Sequence, residues 1–394
     1  MTHRVAIVGA GPSGFYTADG LLRGRPDLRI DLIDRLPTPF GLVRAGVSPD
    51  HQGTKAVVRQ FERLLAQPDV RFAGNVEIGH DLSWDELQEG YDAVIVATGM
   101  VIDRKLGIPG EDLPHVWGSW KFVAWLNGHP DFRQGPDLSA VRRVAVIGNG
   151  NVALDVARLL AKGREEMAKT DIVPEAGEAI AVAPLAEIHV IGRRGPEHAS
   201  FTNNELVEMG RVGRAVALTD AAALAVQAPA SDPTPERLRK AKNLEILRGF
   251  AGNKAGSKPL AVHFRFNASP VAIRPGEIEL STGTLPADLV ITCIGYRGED
   301  FPEGEGVFAV GWARRGPTGT IPTNRADSHA VAREVLAWLS ERDPKSGPDP
   351  MPLSIDVAGW HRIDKAEIAA GTPLGRPRVK LVDWKSLLDV AQND

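Results

Sequence analysis

The sequence predicts two doubly wound α/β domains, each with its own nucleotide site. Three observations carry that expectation. The segment VAIVGAGPSG (5–14) recurs as VAVIGNGNVA (144–153), 139 residues further on. Each copy is a β-branched run closed by glycines that open a helical pattern. A second pair, YDAVIVATG (91–99) and ADLVITCIG (287–295), shares the spacing D-x-V-I-x-x-x-G and follows the first pair in the same order. Two motifs in one order, twice, point to a repeated unit with a parallel sheet rather than to coincidence.

Composition bounds what those domains can do. A chain of 394 residues is long enough for two or three domains with large cores. Its 43% apolar and 24% charged residues are ordinary for a globular protein, and its 41 glycines and 29 prolines suit many tight turns. A net charge of −4 does not favour bulk nucleic-acid binding. The single cysteine, Cys293, excludes a disulfide framework, a cysteine-held iron–sulfur cluster and a CxxC redox pair. Redox chemistry would therefore rest on an organic cofactor. No run approaches the ~18 apolar residues of a membrane span. The opening MTHRVAIVG leaves no room for a secretory apolar region, so a cytoplasmic protein, or one already processed, without a membrane span is expected.

Taken in order, Val5–Val8 reads as a strand, Ala10 to Leu22 as a helix and Arg29–Asp34 as a second strand. In the turn between the first two, Gly9 permits the tight bend and Gly11 lets the backbone approach a pyrophosphate. Gly14 lets the helix pack on the strand. The helix N-terminus, with Ser13 in its first turn, favours an anion. Asp34 ends the second strand 25 residues after Gly9, where a carboxylate accepts hydrogen bonds from an adenosine ribose. On chemistry alone FAD and NAD both fit this first site.

The second site repeats the turn as Gly148, Gly150, Asn151, Val152 and Ala153. Its second strand comes late, at Glu187–Ile191, because a helical insertion (163–186) intervenes. That strand ends in Arg193 and Arg194 and not in an acid. Paired guanidiniums bind a 2′-phosphate that a carboxylate would repel, so this site is expected to prefer NADP over NAD. Further along, 220–235 reads as a surface connection and 341–352 as a linker with four prolines. The stretch 361–370 reads as a helix, and 375–391 as a closing loop and helix.

These motifs resemble the adrenodoxin-reductase type of ferredoxin–NADP reductase, a family of flavoproteins with two dinucleotide-binding domains. The resemblance covers nearly the whole chain. It is carried by VAIVGAGPSGFYTA (5–18), PFGLVRAGVSPDH (39–51), FVAWLNGHPDF (122–132), GNGNVALDVARLL (148–160), GRRGP (192–196) and FTNNELVEM (201–209). IGYRG (294–298), GWARRGPTGTIPTN (311–324) and GRPRVKLVD (375–383) complete it. It implies two Rossmann-like domains: an FAD-binding domain from 1–104 and 305–394, with an NADP-binding domain, 105–304, inserted.

The resemblance implies FAD contacts at Ser13, Asp34, Leu42, Val76, Trp312, Gly319, Thr320 and Ile321. NADP(H) contacts carry over to Gly150–Ala153, Arg193, Arg194 and Glu205, with Gly319 near the nicotinamide. It places His51 and Glu208 as a pair near flavin and nicotinamide, candidates for proton handling. Three departures stand out. Only 15 residues separate Gly295 from Gly311, where the family usually carries a longer segment. The 216–245 region is shortened, and Asp34 replaces the more usual Glu.

The implied activity is NADPH-dependent electron transfer through FAD to an acidic ferredoxin. Nine basic residues against two acids between 233 and 275 make that segment +7, leaving −11 elsewhere. Arg237, Arg239, Lys240 and Lys242 are the expected docking charges. The alternatives are an electron-input flavoprotein subunit of a larger enzyme, which usually adds cysteine-rich sequence, and a non-catalytic nucleotide-binding protein. A flavin disulfide reductase is disfavoured by the missing CxxC.

Overall fold

A computed structural model describes residues 2–319, 321–346 and 349–393. The chain forms two compact units. Unit 1 holds residues 1–102, 127–133 and 296–394, and unit 2 holds 103–126 and 134–295.

In unit 1 the chain runs through β1 (Arg4–Val8), α1 (Pro12–Gly24), β2 (Arg29–Asp34), β3 (Val70–Gly74) and β4 (Ala93–Val96). Unit 2 follows with β5 (Val116–Gly118), β6 (Arg143–Ile147), α2 (Asn151–Ala161), β7 (Glu187–Ile191), α3 (Asn203–Met209) and β8 (Ala215–Thr219). It continues with α4 (Thr234–Ala251), β9 (Leu260–Arg265), the antiparallel β10 (Pro270–Arg274), β11 (Glu277–Leu280) and β12 (Gly283–Pro286), and β13 (Leu289–Thr292). The return to unit 1 supplies β14 (Val307–Ala309), α5 (Ile321–Ser340), α6 (Val357–Gly371) and α7 (Trp384–Gln392).

Both large sheets are parallel. Unit 1 has the order β14–β4–β1–β2–β3, and unit 2 the order β5–β13–β6–β7–β9–β8. The duplication seen in the sequence is thus a duplication of topology: β2–β1–β4 in one unit matches β7–β6–β13 in the other. Strands covered on both faces must be apolar throughout, which is why they read as unbroken runs and not as alternation. Val5, Ala6 and Ile7 in β1, and Val144, Ala145 and Val146 in β6, are fully buried.

The unit 1 core is stiffened by aromatic packing. Phe15 stacks on Phe61 at 4.7 Å, and Phe40 meets Trp360 edge-on at 5.5 Å. Such pairs contribute about 0.5–1.5 kcal/mol each beyond burial. The segment 127–133 belongs to this unit through polar ties. Asn127 Oδ1 accepts from Lys55 (2.9 Å) and Lys380 (3.0 Å), and its Nδ2 donates to the Val47 carbonyl (3.1 Å). Asp131 accepts from Trp384 (2.8 Å) and pairs with Arg35 (2.5 Å).

The proline-rich 341–352 segment is not a free linker. Lys345 donates its backbone N–H to Asp92 (2.7 Å) and its ammonium to the Tyr91 carbonyl (2.7 Å), and Asp349 pairs with Arg71 (2.7 Å). Buried Glu367 on α6 holds the C-terminal segment. It accepts both Arg44 nitrogens (2.5 and 2.9 Å), Arg378 (3.2 Å) and the Leu381 N–H (2.9 Å). Burial pushes this carboxyl up, but Arg44 and then Arg378 override it and hold it below the usual glutamate range.

Candidate functional site

In unit 1, the turn after β1 shows why glycine is required. Gly9 has φ +111°, and a Cβ there would lie 2.5 Å from the Ala97 carbonyl oxygen at the end of β4. No side chain caps α1, and its first turn holds no acid. Its N-terminal N–H groups therefore point out as an anion cradle. Ser13 is buried beside the second glycine turn of the unit: a Cβ on Gly311, at φ +67°, would sit 2.0 Å from Ser13 Oγ. Gly41, at φ +46°, also packs against the turn, its would-be Cβ 3.0 Å from Gly11 Cα.

Asp34 lies at the end of β2, next to this cradle. It accepts the N–H of Ala10 (2.9 Å) on one oxygen and of Leu36 (3.0 Å) on the other. Burial raises its carboxyl to about 6, against the pull of those two donors. Val76 is buried and donates its N–H to the Asp34 carbonyl (3.0 Å). Leu42 opens the helical turn after Gly41. Sequence-predicted Gly11, Ser13, Gly14, Asp34, Leu42 and Val76 thus gather around one end of the sheet.

The 311–319 loop reaches the same place. Trp312 stacks on Tyr296 at 6.0 Å and donates Nε1–H to the Thr318 carbonyl (3.2 Å). Gly319 is exposed at φ +85°, Ile321 starts α5, and Thr320 lies outside the described residues. Two residues of α5 that the sequence reading passed over hold this loop. Asp327 accepts the Gly311 N–H (2.7 Å) and pairs with Arg315 (3.3 Å), while Asn324 accepts from Arg315 (2.6 Å). Their polar stripe at i, i+3 on a core-facing helix is the signal that was available.

Unit 2 repeats the turn. Gly148 has φ +151°, and a Cβ there would lie 2.3 Å from the Cys293 carbonyl oxygen at the end of β13, the counterpart of Ala97. No side chain caps α2 after Gly150. Ala153 is fully buried, Asn151 Oδ1 accepts the Thr202 N–H (2.8 Å), and Asn149 keeps a buried Oδ1 without a partner. Arg193 and Arg194 are exposed just past β7. Their backbone is pinned, Ala268 N–H to the Gly192 carbonyl (2.9 Å) and Asn267 N–H to the Arg194 carbonyl (3.1 Å). Cys293 is buried, and that burial, followed by the charge of Asp103, pushes its thiol far up, so it is inert packing.

Glu205 and Glu208 lie on α3, one turn apart. Sequence reasoning missed their neighbour Arg158 on α2, which is 1% exposed. Its guanidinium bonds Glu205 (2.6 Å) and Asp155 (2.7 Å) and lies 3.8 Å from Glu208. Asn151, Asp155 and Arg158 at i, i+4 and i+7 on an otherwise buried helix were the readable sign. His51 sits at the start of a short helix in unit 1, and Glu208 belongs to unit 2.

The basic segment needs a correction. Lys240 is buried and closed off by Asp232 (2.8 Å) and Glu236 (3.2 Å), so it is not a docking charge. Asp232 lies just outside the 233–275 window, which is why the charge sum overlooked it. Arg239 is spent internally, donating to the Phe201 carbonyl (2.5 Å). Arg237 and Lys242 do face outward on α4, beside exposed Leu238.

Two parallel sheets, each with a glycine turn feeding an uncapped helix, define a two-nucleotide oxidoreductase architecture. Residues 3–189 match the family model described as pyridine nucleotide-disulphide oxidoreductase. The chain is 37% identical to the NADPH-ferredoxin reductase FprA of Mycobacterium tuberculosis, over 98% of both chains. It is 36% identical to the cindoxin reductase of Citrobacter braakii, over 99% of this chain and 91% of that one. The solved structure of Mycobacterium tuberculosis FprA in complex with NADPH superposes with a TM-score of 0.93, at 36% identity and full coverage of both chains. The chain belongs to the family of NADPH-dependent ferredoxin reductases. Among the described residues no helix is long and apolar enough to cross a membrane.

Proposed function

We propose that this protein oxidises NADPH and passes the electrons through FAD to a ferredoxin-type iron–sulfur protein. The observation that carries the reading is the pairing of opposite chemistries on one repeated turn: Asp34 at the first, Arg193 and Arg194 at the second. A carboxylate suits an unphosphorylated ribose and two guanidiniums suit a 2′-phosphate. The names of the relatives support the same assignment.

The residues fit both groups. The cradle at Gly9, Gly11 and Gly14 has no room for a Cβ at Gly9, and α1 offers uncapped N–H groups to a pyrophosphate. Asp34 would hold the adenosine ribose of FAD. Leu42, Val76, Trp312, Gly319 and Ile321 would line its remainder. In unit 2 the uncapped α2 and the orphaned Asn149 Oδ1 suit a dinucleotide with donor hydroxyls. Arg193 and Arg194 would hold the 2′-phosphate, and Glu205 the nicotinamide side.

FAD, when bound, supplies the conversion between hydride and single-electron transfer. The net reaction takes one NADPH and two oxidised clusters to NADP⁺, a proton and two reduced clusters. Among this chain's own residues, His51 and Glu208 are the candidates for handling that proton. Asp327 and Asn324 keep the 311–319 loop in place. Arg237 and Lys242 would steer an acidic partner to α4. The reading also takes the enzyme to act in the cytoplasm. The test is direct: the purified protein should carry FAD, NADPH should bleach its absorbance faster than NADH does, and the reduced protein should reduce an added ferredoxin. A colourless protein that takes up no FAD would defeat the proposal.

A further inference from the structure

We infer that Arg158 is a positioning residue that fixes the Glu205 carboxylate for the nicotinamide half of NADP(H). The inference rests on the proposed role of unit 2 as the NADP(H) unit and adds a residue to it. Arg158 is almost fully covered, and an arginine at 1% exposure needs a specific set of acceptors. It has them: Glu205 Oε2 at 2.6 Å and Asp155 Oδ1 at 2.7 Å, with Glu208 Oε2 at 3.8 Å.

The fork geometry of guanidinium is what makes this a positioning device. Its N–H groups lie in one plane at fixed angles, so two carboxylates bound to different nitrogens are locked relative to each other. Asp155 is on the same helix as Arg158, three residues back. It sets the guanidinium plane, and that plane sets Glu205 on α3. The N-terminal end of α3, the end that carries Glu205, is also held through its neighbours, with Thr202 N–H bonded to Asn151 and Asn203 bonded to Asn243 (2.8 Å) and to the Arg239 carbonyl (2.9 Å). Backbone placement of α3 thus has support that does not involve Arg158, whereas the Glu205 carboxylate itself is tied to the guanidinium at 2.6 Å. Both anchors come from the helix that starts at Gly150, so the acid is indexed to the phosphate-binding turn itself. Glu205 keeps partial exposure (19%), so its side chain stays accessible to a ligand.

The test separates the two halves of the ligand. Binding of NADP⁺ and of 2′,5′-ADP, which lacks the nicotinamide, is measured by calorimetry on the flavin-loaded protein for wild type, Arg158→Met, Arg158→Lys and Glu205→Gln. Arg158→Met should weaken NADP⁺ about tenfold or more and change 2′,5′-ADP by less than about twofold. Glu205→Gln should show the same split, and the double variant should be no weaker than the worse single. Arg158→Lys keeps the charge but not the fork, so it should retain the fold and still show the split; it serves if Arg158→Met does not fold. Equal weakening of both ligands, full rescue by Lys, or additivity in the double variant would overturn the positioning role while leaving unit 2 as the NADP(H) unit. Failure of wild type to bind 2′,5′-ADP at all would instead overturn the NADP(H) reading on which it stands.

Discussion

Replacing Arg193 and Arg194 together by alanine should convert an NADPH-selective protein into one that barely distinguishes NADPH from NADH. The two side chains are exposed, and the backbone under them is pinned by the hydrogen bonds of Asn267 and Ala268. Little order is lost when a phosphate arrives, and the substitutions leave the sheet untouched. A hydrogen bond between charged groups contributes about 1.5–3 kcal/mol, and exposure pulls each arginine toward or below the lower limit. Two of them at about 1–1.5 kcal/mol each give about 2–3 kcal/mol. At 1.4 kcal/mol per decade that is a loss of roughly 30- to 150-fold in kcat/KM for NADPH. NADH, with a hydroxyl at that position, should change less than about threefold. The assay is steady-state reduction of ferricyanide with each nucleotide, checked by direct binding of NADP⁺ and NAD⁺. Parallel losses for both nucleotides would show that the pair supports the fold and does not read the 2′-phosphate.

Three further outcomes are expected. FAD retention should fall as pH drops through about 6, because only ionised Asp34 accepts from both ribose hydroxyls; the apoprotein should lose stability as pH rises from about 4 to 6, since its raised carboxyl favours the protonated folded form. Asp34→Asn should weaken FAD and flatten both profiles, and a profile unchanged by Asp34→Asn would assign the titration elsewhere. Glu367→Gln, which strips the charge from a fully buried carboxylate facing Arg44 and Arg378, should cost about 3–5 kcal/mol in urea unfolding, and a cost under about 1 kcal/mol would refute its role as the anchor of the C-terminal segment. The Glu367 contribution should be present at neutral pH and vanish as pH falls below the normal glutamate range, because its folded carboxyl is held low. Arg237→Glu with Lys242→Glu should slow ferredoxin reduction several-fold at low salt and leave ferricyanide reduction intact; equal effects on both acceptors would remove α4 from the docking surface.

Much of the fold was legible because both sheets are parallel and buried. Such strands must be apolar from end to end, and the turns between β1 and α1, and between β6 and α2, tolerate only glycine where Ala97 and Cys293 crowd them. Arg29–Asp34 and Glu187–Ile191 were therefore readable to the residue. The placement of Asp34 and of Arg193 and Arg194 at strand ends was legible for the same reason, since topology fixes which strand ends lie beside the glycine turns. Partners across long sequence separations were not legible. Arg158 finds Glu205 47 residues away, and Arg44 finds Glu367 323 residues away. Lys240 looked like a free surface charge until Asp232 folded back against it. Composition counts charges, and only the tertiary structure shows which are already spent. The prolines of 341–352 suggested a spacer, yet Lys345 and Asp349 tie that stretch to Asp92 and Arg71.

The central claim is that electrons run from NADPH through one flavin to an iron–sulfur carrier. It is tested most directly by following NADPH-driven reduction of cytochrome c with and without an added [2Fe–2S] ferredoxin, and repeating the run with NADH. The account predicts a rate that rises and saturates with ferredoxin and needs NADPH at low nucleotide concentration. A rate indifferent to ferredoxin, or one sustained equally by NADH, would contradict it.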